Sequence, residues 1–248
     1  FEDDFETATP WATTGFWHRS TLTGVRNAAH PVFTSLAPGD QTAAALPNAA
    51  QGRWSFWYGS PTAGNFLGAQ RAGDRPRSGG TSTQSNSGTL TSPAFAVPSG
   101  AERVVLRFDT WFEIESVNPN DRGYDLMLVQ VVNAQTGAVT TLGRLNPVVD
   151  PTLPDRDWIP FTSGGFNQPP VWRLTEADLT PFRGRSIRIR FAFETRDNLY
   201  NGFRGWIVDR IAVVSEPATA RADGAGPPVL RLSCDAPCVV PPAVPRPR

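Results

Sequence analysis

A chain of 248 residues, 40% apolar, is long enough to bury one large core or two small ones, and its formal net charge of +0 leaves no basic surplus to neutralise a nucleic-acid backbone. No stretch approaches the roughly 18 consecutive apolar residues of a membrane-spanning helix, so neither nucleic acid nor a bilayer core is an expected partner. All of the positive charge is arginine, whose planar fork suits carboxylate pairing better than a hydrated ammonium does.

The chain starts at Phe1 rather than methionine, as expected of a mature secreted chain whose leader has been removed. An acidic opening, Asp3, Asp4 and Glu6, is followed by Trp54-Ser55-Phe56-Trp57-Tyr58. Alternation there puts Trp54, Phe56 and Tyr58 on one face and Trp57 on the other. Residues 68–88 are too poor in apolar side chains to bury anything and read as a long loop. Four strands stand out: Arg103 to Phe112, Leu126 to Val132, Ser186 to Phe193 and Gly205 to Val214. In the third, Ile187, Ile189, Phe191 and Phe193 alternate with polar residues, the pattern of a half-buried strand. An irregular insertion over 147–170 carries Trp158, Ile159, Phe161 and Phe166, expected to fold back onto the body. Helical periodicity is almost absent, and 24 prolines with 22 glycines supply the turns of an all-β fold.

The division expected is a sandwich over 1–215, a linker over 216–228 and an extended, Pro-rich tail over 229–248. In that tail Val229, Leu230, Leu232, Val239 and Val240 supply strand-like residues too few to fold alone, but suited to adding a strand to a sheet edge, in the same chain or in another copy. Cys234 and Cys238 are close enough in sequence for a short disulfide.

Several local patterns occur in order: Asp4-Phe5-Glu6, Gly15-Phe16-Trp17-His18, Trp57-Tyr58-Gly59, Gly88-Thr89-Leu90-Thr91-Ser92-Pro93, Leu106 to Trp111, Tyr124-Asp125, Asp178 to Gly184, and Gly205-Trp206-Ile207-Val208-Asp209-Arg210-Ile211. Together, over roughly residues 1 to 215, they resemble the MAM-like jelly-roll domains of adhesive ectodomains and of secreted bacterial metallopeptidases of the immune inhibitor A type. The resemblance implies a jelly-roll β-sandwich of two antiparallel sheets and a structural calcium tying the first strand to the last. The matching positions are Asp4, Glu6 and Asp209, with Asp109 the next candidate. Two departures stand out: Arg210 takes the second place of a paired Asp-Asp, and Thr136 to Thr140 replaces a Gly-x-x-Trp hairpin.

Independently of the resemblance, Asp209 lies between Ile207-Val208 and Ile211, where an unpaired carboxylate is costly to bury. Calcium would satisfy it, and so would an arginine such as Arg190, with Asp3, Asp4 and Glu6 then a solvated start. The zinc-binding His-Glu-x-x-His segment of a metallopeptidase and the Gly-x-Ser-x-Gly elbow of a serine hydrolase are both missing. A glycosidase would draw its carboxylates from Glu113, Glu115 or Asp125. The eight tryptophans read mainly as core, with Trp54, Trp57 and Tyr58 the candidates for a ligand-stacking surface. The expectation is therefore a non-catalytic extracellular or cell-surface module that binds itself, another extracellular protein or a glycan. A carbohydrate-binding module is the first rival reading and a small glycoside hydrolase the second.

Overall fold

The computed structural model describes residues 1–8, 10–27, 45–67, 82, 84–115, 125–147, 160–166, 168–216 and 230–232. Two sheets face each other. The first has nine strands: β1 (Glu2–Asp3), β3 (Trp17–Ser20), β4 (Ser55–Tyr58), β7 (Arg103–Ile114), β10 (Phe161–Thr162), β11 (Gly165–Phe166), β12 (Arg173–Asp178), β14 (Gly205–Glu216) and β15 (Leu230–Leu232). The second has six: β2 (Ala12–Thr13), β5 (Ser87–Thr91), β6 (Phe95–Ala96), β8 (Leu126–Asn133), β9 (Val139–Arg144) and β13 (Ser186–Glu194). Pairing is antiparallel except between β12 and β15, and the chain crosses repeatedly from one sheet to the other, giving a jelly-roll sandwich. Among the described residues no helix is long and apolar enough to cross a membrane.

The period-2 pattern explains the main core. On β13 the odd positions Ile187, Ile189, Phe191 and Phe193 are buried while Arg188 and Arg190 point away. They meet Val104, Leu106, Phe108, Phe112 and Ile114 of β7 and Trp206 and Val208 of β14. Phe191 packs edge-on against both Phe108 and Trp206, at centroid distances of 5.0 and 5.7 Å. Burying each such side chain contributes about 1.5–3 kcal/mol, so the facing strands rather than the loops carry most of the stability.

The four predicted strands all form, and β14 runs past its predicted end to Glu216. The carboxylate of Glu216 explains the extension, since it pairs with Arg103 and Arg107 across the neighbouring strand. Part of the predicted insertion does fold back: Phe161 stacks on Phe112, and β10 pairs with the end of β7. Trp158, Ile159 and residues 68–81 lie outside the described residues.

A second, smaller core covers the outer face of the nine-stranded sheet. Leu22 and Leu46 close over Trp57, Trp111 and Ile207, with Val25 and Trp172 alongside. Within it the Arg204 guanidinium pairs with Glu113 at 2.5 Å, lies over the Trp111 ring and donates to the Ala45 carbonyl. Both charged side chains are buried, so each neutralises a charge that would be expensive alone.

Candidate functional site

The junction of β1 and β14 is built by a turn after β1 and a bulge within β14. Asp3 pairs with Ile211, its Oδ1 accepts the Phe5 amide at 2.9 Å, and its Oδ2 accepts Trp11 Nε1 at 2.8 Å. Those bonds hold Phe5 at a φ of 61°, which a bulky side chain adopts only under such constraint. On β14 the ladder shifts register between Asp209 and Ala212, and Arg210 sits at a φ of 42° in the bulge.

The loop before β4 binds two of the predicted carboxylates through its backbone. Asp209 Oδ2 accepts the amides of Ala50 (2.8 Å) and Gln51 (3.1 Å) and the Ser55 hydroxyl (3.2 Å), while Oδ1 accepts the Arg210 amide at 2.7 Å. Glu6 Oε1 accepts the amides of Arg53 (2.8 Å) and Trp54 (2.9 Å). Between them Gly52, at a φ of 66°, passes so close that a Cβ there would lie 2.3 Å from that same oxygen. Burial pushes the Asp209 carboxyl up to about 6, against the pull of its four hydrogen-bond donors. Asp109, its cross-strand neighbour, is pushed up by burial and drawn back by the Arg210 guanidinium, whose Nε lies 2.8 Å from Oδ2.

This donor set does not fit the expected calcium. A hard cation needs six to eight converging oxygens, whereas Glu6 Oε1 and both Asp209 oxygens accept N–H and O–H groups and Asp109 is held by an arginine. Asp4 is exposed and accepts only the nearby Glu6 amide among the described contacts. Among the described residues no group of three or more His, Cys, Asp or Glu side chains is placed to hold a metal. The arginine alternative needs correcting too. Arg190 lies on the opposite sheet with its Nε on Gln130 at 2.8 Å, and it is Asp109, not Asp209, that takes an arginine partner.

The predicted stacking surface is also corrected. Trp57 and Tyr58 are both at 0% exposure, on opposite faces of β4 as the alternation requires, because each face is covered by its own core. Trp57 donates Nε1 to the Arg204 carbonyl, and the Tyr58 hydroxyl donates to Asn86. Trp54 is half-buried, with the Arg19 guanidinium 3.8 Å above its ring and fixed there by the carbonyls of Phe5 and Glu6. The carboxylates of the glycosidase reading are buried as well: Glu113, Glu115 and Asp125 have 1, 1 and 0% exposure.

At the far edge of the nine-stranded sheet, β15 lies parallel to β12, with Leu230 opposite Thr175 and Leu232 opposite Ala177. Leu232 reaches the main core and sits over Gly143 of β9, where an added Cβ would come within 2.9 Å of its own Cβ. The strand thus bridges the gap between the two sheets. Val229, Val239, Val240, Cys234 and Cys238 lie outside the described residues.

Asparagines form the feature that sequence reading missed. Asn27 donates to the Gly202 carbonyl (2.7 Å), Asn65 to Asn27 (2.9 Å) and Asn201 to Ser82 (2.6 Å), tying together loops at one end of the sandwich. Their partners are remote in sequence, and the only local signal is asparagine within otherwise apolar or glycine-rich loops.

No protein-family model matches the sequence, and no curated protein matches it. Among solved structures the chain is similar to the K1 cleaved adhesin domain of Lys-gingipain from Porphyromonas gingivalis W83, at 11% identity and a TM-score of 0.46, covering 87% of this chain and 98% of that one. The K3 cleaved adhesin domain of the same protein is similar at 12% identity and a TM-score of 0.40, with the same coverage. A carbohydrate-binding module, TmCBM61 in complex with β-1,4-galactotriose, is similar at 12% identity and a TM-score of 0.36, covering 84% of this chain and 89% of that one. The fold assignment rests on the strand pairing of this chain itself.

Proposed function

We propose that this chain is an extracellular, non-catalytic binding and assembly module whose C-terminal strand is exchanged between copies. The supporting observation is β15: three residues pair parallel with β12 at the sheet edge and pack one leucine against the main core. A strand held by so short a ladder is readily donated to the same edge of a neighbour, where the backbone bonds and the Leu232 seat are identical. Burial of Glu113, Glu115 and Asp125 speaks against the glycosidase alternative, because two carboxyl groups must flank an open cleft.

The test is light scattering of the full chain beside Leu232→Asp and a chain ending at Glu216. Exchange predicts concentration-dependent oligomers for the parent and monomers for both variants, with unchanged near-ultraviolet circular dichroism. A parent that stays monomeric at every concentration, or variants that assemble equally well, would refute it.

A further inference from the structure

The two sheets differ on their outward faces. That of the nine-stranded sheet is covered by the second core, whereas the face of the six-stranded sheet carries a polar row without such a cover among the described residues. Thr91, Arg190, Gln130 and Thr141 stand in register across β5, β13, β8 and β9. Arg190 Nε donates to Gln130 Oε1 at 2.8 Å, and Gln130 Nε2 donates to Thr141 Oγ1 at 3.2 Å, so the row is fixed rather than loose. One step along β5, Thr89 shares a hydroxyl hydrogen bond with Thr14 at 3.1 Å.

Arg188 and Arg190 project together from β13, two residues apart on this face. Arg188 reaches only the Ser92 carbonyl at 3.2 Å, and neither Arg188 nor Arg190 has a carboxylate within ion-pair distance among the described residues. The nearest acid on the same strand, Glu194, is taken by Arg196 at 3.1 Å. Partial burial lowers the Arg190 pKa.

We propose that the outward face of the six-stranded sheet binds a uronate-containing polysaccharide, the sugar carboxylates pairing with Arg188 and Arg190 and the sugar hydroxyls with Thr89, Thr91 and Thr141. A planar carboxylate matches the guanidinium fork in a two-bond contact, and the flanking hydroxyl groups are the donors and acceptors that a sugar ring needs on either side. Charge complementarity selects an acidic over a neutral glycan, and the planar carboxylate is the anion assigned to the guanidinium fork. The inference deepens the reading of the chain as a binding module and is independent of strand exchange.

Affinity electrophoresis of the full chain through gels containing polygalacturonate, neutral galactan or dextran sulfate tests it. Expected is retardation by polygalacturonate and none by galactan, weakened by salt, and lost roughly ten- to a hundred-fold in the Arg188→Ala/Arg190→Ala double variant. Arg190→Lys keeps the charge but not the fork and should fall between. Arg183→Ala, outside the face, should bind as the parent does. Retardation by galactan, retardation by dextran sulfate but not by polygalacturonate, no retardation in any gel, or a double variant that binds undiminished while retaining its fold would overturn the proposal.

Discussion

Replacing Asp209 with alanine tests the strand junction most directly, because two large effects oppose each other there. The substitution strips the acceptor from the Ala50 and Gln51 amides and the Ser55 hydroxyl, in a position at 0% exposure. The buried Ser55 hydroxyl left without a partner costs about 1–3 kcal/mol, and the two amides, on exposed residues that can turn to water, add less. Against that, alanine removes a carboxylate whose pKa is raised to about 6 from the ordinary 3.8, relieving a burial cost of about 3 kcal/mol at neutral pH. The folded form holds its proton more tightly than the unfolded one, so this group's contribution to stability is greatest below the unfolded pKa and is lost as pH rises through 6. The relief that alanine brings is therefore full at pH 7.5 and about 1 kcal/mol smaller at pH 5. For a domain of this size, 1 kcal/mol moves the melting temperature by about 2–4 °C. Thermal denaturation of parent and variant should thus show a parent advantage that widens by about that amount between pH 7.5 and pH 5. A gap that narrows on acidification, or a variant more stable than the parent at pH 5, would refute the reasoning.

Two further outcomes follow from the same geometry. Because Arg210 and the loop amides occupy Asp109, Asp209 and Glu6, the parent should melt at the same temperature in millimolar calcium and in chelator, and a calcium-dependent rise would show that these carboxylates can still gather a cation. Glu113→Ala should lower stability by about 3–5 kcal/mol in denaturant titrations, because it leaves the buried Arg204 charge without its carboxylate, whereas Glu113→Leu/Arg204→Met should recover much of the loss.

The all-β class, the four main strands and the alternation within them are local properties of the chain, and they are legible because the two faces of a strand repeat every second residue. Ile187 through Phe193 announces its buried face without knowledge of any partner, and the same rule separates Trp57 from Phe56 and Tyr58. What the rule cannot report is what each face meets. It leaves Trp57 looking like a surface residue, and only the closure of Leu22 and Leu46 over the outer sheet buries it.

The carboxylates illustrate the same division. That Asp209 sits in an apolar strand, and so needs a partner, is written in its neighbours. The partners themselves are amides of Ala50 and Gln51, more than 150 positions away in sequence, and a backbone N–H carries no side-chain signature at any position. Arg210 stands next to Asp209 yet pairs with Asp109, because a bulge turns its side chain toward the neighbouring strand. Residue type and period thus determined which groups had to be satisfied. Only the folded chain decided by what, since the choice among amide, arginine and cation depends on which distant backbone arrives at the site.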